Sequence, residues 1–311
     1  MRIAVMGSGG VGGYFGGRLA MAGHDVCFIA RGEHLRAIRQ NGLQVESING
    51  DFVVFPAEAK DDLENVGTVE LAIVSVKTWQ LAEAAQQMRP LVGPETIVLP
   101  LLNGVEAADE LAKALPPAQI IGGLCRIIAY VEAPGRIRHS GMEPSLVFGE
   151  LDSRLSERVK TLKDALDRAG IQAEIASDVR AALWRKFMLI STWGGIGAIT
   201  HAPIGVWRNI TGIRAMAEAS LRETLAVARE HGVALSGELV ADSMTFFDEL
   251  APDGTTSMQR DIQEGRPSEL ESQSGAVVRL GSEAGVPTPT HSFFYYGLIP
   301  RERMARSEGS G

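Results

Sequence analysis

The sequence predicts an α/β fold in which a doubly wound, mostly parallel sheet is followed by an all-helical C-terminal domain. Through residue 150, short β-branched runs alternate with helical patterns, which is typical of parallel strands joined by helices. From about residue 153 this alternation ends, and long helical patterns follow. We therefore expect two domains, 1–177 and 178–311, with Ser177 or Asp178 as the N-cap of the first helix of the second domain.

The first domain is expected to alternate strands and helices in a regular order. "RIAVMG" and "DVCFIAR" predict strands, and each is followed by a helical pattern, "VGGYFGGRLAMAG" and "HLRAIRQNG". "LQVES" and "DFVVFPAEA" suit a hairpin-like pair around "INGD". "VELAIVSV" and "TIVLPLL" predict buried strands, and strands in "IIGGLCRIIAYVEAPGRIRHSG", "SLVFGE" and "IQAEIAS" complete the domain.

The second domain is expected to consist of helices alone. Helical patterns place them at 178–199, 208–232, 236–250, 257–264 and 269–285. The polar tail "RERMARSEGSG" ends in glycine and serine, so we expect it to be frayed.

Composition narrows the classes of function. The formal net charge of −8 argues against nucleic acid as the main partner. No apolar run reaches the roughly 18 residues of a membrane-spanning helix, so no membrane partner is expected. The two cysteines, Cys27 and Cys125, lie in apolar runs, and the six histidines are scattered, so neither a disulfide framework nor a metal site is expected. These features favour a cytoplasmic protein that acts on a small molecule.

A glycine-rich turn between the first strand and the first helix predicts a dinucleotide site of the Rossmann type. Gly7, Gly9 and Gly12 match the G-x-G-x-x-G pattern in its required setting, with an apolar strand before it and a helix after it. A pyrophosphate there would face the free N–H groups of the helix N-terminus. The expected cofactor-binding residues of this turn are Gly7, Ser8, Gly9, Gly10, Val11 and Gly12.

The end of the second strand favours NADP over NAD. NAD sites usually place an acidic residue there for the ribose 2′-hydroxyl, whereas an arginine accommodates the 2′-phosphate of NADP. This chain has Arg31 at that point, with Glu33 as the nearby acid that would oppose a phosphate.

Two further strands end next to polar side chains. Lys77 follows "VELAIVSV", and Asn103 follows "TIVLPLL". Ligands of open α/β sheets bind outside the carboxyl ends of the strands. We therefore expect Lys77 and Asn103 to share one rim with the glycine turn and Arg31.

Three polar residues stand out within the helical patterns of the second domain: Lys186, Ser257 and Glu269. Each has a structural alternative to a functional role. Lys186 could extend to the surface, Ser257 could cap a helix, and Glu269 could stabilise a helix N-terminus. Adjacent helical residues point about 100° apart, so Arg185 and Lys186 cannot both face inward.

Together these motifs resemble the ketopantoate reductases (2-dehydropantoate 2-reductases) across nearly the whole chain. The matching segments are "GSGGVGG", "VSVKTWQ", "LLNGVE", "ALWRKF", "TSMQRDI" and "PSELESQSG", in that order. The resemblance implies an oxidoreductase that uses NADPH to reduce a 2-oxo acid to a 2-hydroxy acid. It also implies a Rossmann domain followed by a helical domain.

The resemblance assigns roles by motif position. Lys186 matches the catalytic lysine and Glu269 the substrate-orienting glutamate, which are the two expected catalytic residues. Ser257 matches a serine that contacts the substrate carboxylate. Asn103 and Lys77 match residues that face the nicotinamide and the substrate, and Arg31 matches the arginine at the 2′-phosphate.

The chemistry suits a lysine at position 186. Hydride addition to a ketone develops negative charge on the ketone oxygen, and a positioned ammonium both stabilises that charge and donates the proton. Burial or a neighbouring cation lowers the pKa of a lysine toward neutrality, which makes it a better acid.

One departure concerns the substrate. In the family's pantothenate-pathway enzymes, asparagines follow the catalytic lysine by four and eight residues and bind the substrate. Here those positions hold Ile190 and Gly194. We expect the reductase chemistry to be kept, with a bulkier or more apolar 2-oxo acid as the alternative to ketopantoate.

Other interpretations remain open at the level of the sequence. One is an NADP-dependent 3-hydroxyacid-type dehydrogenase with a similar two-domain plan. Another is a protein that senses NADPH without catalysis. A homodimer is a further possibility, because apolar stretches such as 193–199 suit either a core or an interface.

Overall fold

The computed structural model describes residues 1–308, which form two compact units. The first unit comprises residues 1–102 and 106–182, and the second comprises residues 103–105 and the chain from residue 183 onward. This division falls inside the helix Val179–Thr200, after Ala182. Its first turn belongs to the first unit because Val179 is buried there against Gly122 and Gly149.

The first unit contains all of the named strands. In chain order they are β1 (Arg2–Met6), β2 (Asp25–Ile29), β3 (Leu43–Ser47), β4 (Phe52–Val54), β5 (Glu58–Lys60), β6 (Leu71–Val74), β7 (Ile97–Pro100), β8 (Gly122–Ala133), β9 (Arg136–Gly149) and β10 (Gln172–Ile175). Its helices are α1 (Gly10–Met21), α2 (Gly32–Asn41), α3 (Leu81–Gln87), α4 (Ala107–Ala112) and α5 (Glu157–Arg168).

Five of these strands form a wholly parallel sheet in the order β5-β2-β1-β6-β7. Alternate residues of β1 enter two separate cores. Ile3 and Val5 pack in one core with Phe15 of α1, whereas Ala4 and Met6 pack in another with Leu81 and other residues of α3. Both faces of the sheet are therefore covered, which confirms the doubly wound α/β prediction and explains why its strands are apolar on both sides.

The second sheet has the order β10-β9-β3-β4, with β8 paired to β9. The hairpin-like pair predicted around residues 48–51 is present as β3 and β4, which pair antiparallel. The stretch "DFVVFPAEA", predicted as one strand, is instead divided between β4 in this sheet and β5 in the parallel sheet. Pro56 lies between the two strands, and its lack of an N–H interrupts strand pairing.

The second unit is helical, as predicted. Its helices are α6 (Val179–Thr200, apart from its first turn), α7 (Ile204–Trp207), α8 (Thr211–Glu230), α9 (Leu239–Glu249), α10 (Ser257–Gln263), α11 (Ala276–Ala284) and α12 (Pro289–Glu308), with a π-helical turn at Glu271–Gly275. Asp178 accepts a hydrogen bond from the backbone N–H of Ala181 at the start of α6, as expected of an N-cap.

The prediction of a frayed tail was wrong for most of its length. Helix α12 continues through Glu308 because Glu302 and Ala305 are buried on its inner side. Residues 309–311 lie outside the described part of the chain. Over residues 1–308, none of the helices combines the length and apolar character required to cross a bilayer.

Candidate active site

The glycine turn after β1 has the geometry that a bound pyrophosphate requires. Gly7 has a φ of +94°, in the region that favours glycine, and a Cβ there would lie 2.8 Å from the backbone nitrogen of Val76. A Cβ on Gly12 would overlap the carbonyl of Gly7. A Cβ on Gly9 would instead point into open space, where a ligand can approach the backbone. The turn therefore fits a dinucleotide.

Side chains from neighbouring strands hold this turn in place. The hydroxyl of Ser8 donates to the carbonyl of Ile29 at the end of β2, at 3.0 Å. The hydroxyl of Ser75, just after β6, donates to the carbonyl of Gly7 at 2.8 Å. The turn is thus bonded to the ends of the two strands that flank β1, so its N–H groups keep a fixed direction. Gly10 and Val11 begin α1, whose first turn carries no acidic residue to compete with a phosphate.

His34 of α2 adds a further support that the sequence analysis did not identify. The backbone N–H of Gly135 donates to its Nδ1 at 3.0 Å, so Nδ1 is the acceptor of the ring. Nε2 then carries the proton and donates to the carbonyl of Ser8 at 2.8 Å. The ring therefore links the glycine turn to the connection between β8 and β9. Histidine alone gives no sequence signal for this role, because both partners are backbone atoms.

Arg31 lies at the end of β2, where it was predicted, and its partners come from α3. Its Nη2 donates to Oε1 of Glu83 at 3.1 Å and to Oε1 of Gln87 at 2.9 Å. The nearby acid Glu33 is paired with Arg36 instead. The carboxylate next to Arg31 is therefore Glu83 and not Glu33, a contact between two elements that sequence spacing does not reveal.

These residues line one cleft of about 230 Å³ in the first unit. The glycine turn forms one side of the cleft, Arg31 and His34 form a second, and Glu83 and Gln87 of α3 form a third. The glycine turn lies at the carboxyl end of β1, beside the point where the strand order reverses, which is where such sheets bind a pyrophosphate. Arg31, at the end of β2, is then on the side expected for the adenosine ribose.

Lys77 is exposed in the first unit, two residues before Trp79 and just after β6. Its backbone N–H donates to the side chain of Gln80, and its ammonium lies 5.7 Å from the centre of the Trp79 ring. The local turn holds the backbone of Lys77 near the carboxyl end of the strand, and the Trp79 ring lies beside its ammonium.

Lys186 lies in the second unit on α6, and the structure resolves the choice between it and its neighbour. Lys186 is half-buried, whereas Arg185 is exposed. Lys186 is therefore the less exposed member of the pair, as expected if only one of two adjacent helical residues faces inward.

Asn103 and Glu269 are brought together directly. Both belong to the second unit, and Nδ2 of Asn103 donates to Oε2 of Glu269 at 2.8 Å. Glu269 is only 7% exposed, so this amide donates to a nearly buried carboxylate. The pair joins residues 166 positions apart, both of which were expected at the site.

The peptide unit before Glu269 is held by α12. Both carboxylate oxygens of buried Glu302 accept from the backbone N–H of Ser268, and one also accepts from its hydroxyl at 2.6 Å. Arg306 pairs with Glu302 at 2.6 Å and donates to the carbonyl of Ser268 at 3.1 Å. The C-terminal helix thus fixes the backbone from which Glu269 projects.

Replacing Glu302 with alanine is expected to lower the free energy of unfolding by about 1–3 kcal/mol, because the buried Ser268 N–H loses its acceptor. Urea denaturation measures the effect, with Glu283→Ala as the control for removing an exposed glutamate from a neighbouring helix. Equal stability of the two variants would contradict the proposed support.

Ser257 is exposed at the first position of α10, and it is not the cap of that helix. The cap is Thr256, whose hydroxyl accepts from the backbone N–H of Gln259 at 3.1 Å. The hydroxyl of Ser257 is therefore not needed to start α10, which leaves it available to a ligand.

The side of α6 at Gly194 is less apolar than the sequence suggests. A Cβ on Gly194 would lie 2.8 Å from Cε of Met258, 3.2 Å from Oε1 of Gln273 and 3.3 Å from Oγ1 of Thr256. Gln273 is 2% exposed, and its Oε1 has no hydrogen-bond partner. The glycine therefore admits three side chains from other segments, two of which bring polar atoms. Ile190, half-buried one turn earlier, presents an apolar surface.

A buried polar cluster anchors α6 to its neighbours. Thr192 of α6 bonds the hydroxyl of Ser220 at 2.7 Å, and Ser220 and Thr224 both bond Nε2 of His291 at 2.9 Å. Complete burial lowers the pKa of His291 to about 4, so its ring is neutral at pH 7. The cluster fixes the rotation of α6 without adding a charge to the core.

In the part of the chain that the structure describes, no cluster of His, Cys, Asp and Glu is arranged to hold a metal ion.

Comparison with known proteins identifies the family. The family model "Ketopantoate reductase PanE/ApbA" matches residues 3–153, and the model of its C-terminal domain matches residues 178–302. The 2-dehydropantoate 2-reductase of Mesorhizobium japonicum is 30% identical, over 93% of this chain and 94% of its own.

Solved structures give the same result. A PanE/ApbA family ketopantoate reductase from Ralstonia eutropha superposes with a TM-score of 0.88 and 32% identity, covering 98% of this chain and 100% of its own. A D-mandelate dehydrogenase in complex with NADH and anilino(oxo)acetate superposes with a TM-score of 0.90 and 27% identity, over 98% and 99%. These matches support an enzyme rather than a sensor without catalysis. The chain belongs to the ketopantoate reductase family, and it is an oxidoreductase that acts on CH–OH groups with a nicotinamide cofactor.

Proposed function

We propose that the protein uses NADPH to reduce a 2-oxo acid to the corresponding 2-hydroxy acid. The observation that carries this proposal is the hydrogen bond between Asn103 and the nearly buried Glu269, in the same unit as the half-buried Lys186. An amide and a carboxylate held in fixed orientation, together with an ammonium group, are the donors and acceptors needed to bind and protonate a ketone.

In this proposal each residue has a separate task. Lys186 donates a proton to the ketone oxygen and stabilises the negative charge that develops there. Glu269 orients the substrate, with its own orientation fixed by Asn103 and by the peptide of Ser268. The exposed hydroxyl of Ser257 bonds the substrate carboxylate. A reduced nicotinamide, when bound, supplies the hydride.

The choice of NADPH rests on Arg31. A guanidinium at the end of β2 can pair with a 2′-phosphate, and the open space at Gly9 in the same cleft can admit a pyrophosphate, which supports this choice. The carboxylate of Glu83 opposes this preference, and the related D-mandelate dehydrogenase was solved with NADH. We therefore propose NADPH as the better of two cofactors rather than the only one accepted.

The proposed substrate is a more apolar 2-oxo acid than ketopantoate. The apolar character rests on Ile190, which offers no hydrogen bond where the family's pantothenate-pathway enzymes have an asparagine. Gly194 offers no side chain, and the polar atoms on its side of α6 come from Gln273 and Thr256. The anilino(oxo)acetate of the D-mandelate dehydrogenase complex carries an aromatic group, which supports this substrate class.

A substrate panel tests the proposal. NADPH oxidation is followed with ketopantoate, aliphatic and aromatic 2-oxo acids, and 3-oxo acids, with NADH in parallel. We expect kcat/KM to be higher for apolar 2-oxo acids than for ketopantoate, because burying apolar surface against Ile190 favours their binding. An optimum for ketopantoate at micromolar KM would contradict the substrate assignment. Turnover of 3-oxo acids alone would favour a 3-hydroxyacid-type dehydrogenase.

A further inference from the structure

The cleft beside the glycine turn is lined by an acidic side chain, Glu83, and a basic side chain, Arg31. Glu83 and Gln87 lie one turn apart on α3 and face Arg31 at the start of α2. Arg31 donates to both side chains, and Nε2 of Gln87 donates to the same oxygen of Glu83 at 2.7 Å. The three side chains form a closed set of hydrogen bonds in which the carboxylate neutralises the guanidinium.

The two nicotinamide cofactors meet this set differently. A 2′-phosphate carries between one and two negative charges near pH 7, so it competes with the carboxylate of Glu83 for Arg31 and is repelled by it. A ribose 2′-hydroxyl carries no charge and can donate a hydrogen bond to the same carboxylate. The carboxylate of Glu83 therefore disfavours binding of NADPH and favours binding of NADH.

We propose that Glu83 sets the selectivity of this protein between NADPH and NADH by its action on Arg31. The inference rests on the proposed function only in requiring that Arg31 face the adenosine ribose. Both side chains of the ion pair are 61% exposed, so a cofactor can reach the guanidinium and salt screens the pair. The effect of Glu83 on the cofactor preference is therefore moderate and depends on ionic strength.

The test measures the Kd of NADPH and of NADH for the full-length protein by fluorescence titration at low salt. We expect Glu83→Gln to lower the Kd of NADPH about fivefold, the effect of one exposed charge pair, and to raise the Kd of NADH slightly. Gln87→Glu adds a second carboxylate beside Arg31, and we expect it to shift the NADPH-to-NADH preference in the opposite direction.

Glu95→Gln is the matched control, because it removes the same charge from an exposed position of the first unit outside the cleft. A preference in Glu83→Gln that stays within twofold of the original, or that Glu95→Gln reproduces, would overturn the inference. The outcome for Arg31→Ala distinguishes the proposed role of Arg31 from the inference about Glu83. If that variant weakens NADPH while Glu83→Gln changes nothing, only the role of Glu83 fails.

Discussion

Replacing Lys186 with alanine is expected to lower kcat by about 10²–10⁴-fold, the usual contribution of a positioned general acid. The variant keeps the cleft of the first unit, where the cofactor is proposed to bind, so the Kd of NADPH should change little. Steady-state kinetics with the best 2-oxo acid of the panel, and titration with NADPH, measure the two quantities separately.

Arg185→Ala is the matched control for this prediction. Arg185 is the adjacent basic residue on α6, but its side chain is exposed. We expect its removal to leave kcat within a few-fold of the original value. Unchanged activity in Lys186→Ala, or an equal loss in both variants, would show that Lys186 is not the proton donor.

Replacing Arg31 with alanine is expected to weaken NADPH binding by about 10- to 100-fold, as expected when a phosphate loses its charge-assisted hydrogen bonds. NADH lacks the 2′-phosphate, so its Kd should change by less than about threefold. The measurement is a pair of cofactor titrations under identical salt conditions, because charge-assisted contacts weaken as ionic strength rises.

Arg36→Ala controls for the loss of a positive charge from α2, since Arg36 is exposed and paired with Glu33. We expect it to leave both cofactor affinities nearly unchanged. If Arg31→Ala weakened NADPH and NADH equally, Arg31 would not contact the 2′-phosphate.

The fold was predictable where the chain follows a simple period. The doubly wound sheet followed from apolar runs separated by helical patterns. Helices α6, α8, α9, α10 and α11 followed from apolar periodicity, with Asp178 as the cap of α6, whereas the short α7 was not predicted. The errors had one local and one long-range cause. Pro56 lacks an N–H and divides one apparent strand between two sheets, whereas buried Glu302 keeps the polar end of α12 helical through a contact with a distant segment.

The sequence likewise pointed to some residues of the candidate site and not to others. Lys186, Asn103 and Glu269 were proposed from residue types in their local patterns and from the family resemblance. Their supports, such as Glu302 behind Glu269, were not found, because acids that stabilise a site and acids on a solvated surface have the same local pattern.

The sequence by itself determined the family, the class of cofactor and the residues proposed for chemistry, because these depend on motifs a few residues long in a fixed order. The tertiary structure alone decided what each of those residues touches. It placed Glu83 rather than Glu33 beside Arg31, and Gln273 beside Gly194. Charge pairing and steric fit act through space between segments far apart in the chain, so local periodicity in the sequence does not reveal them.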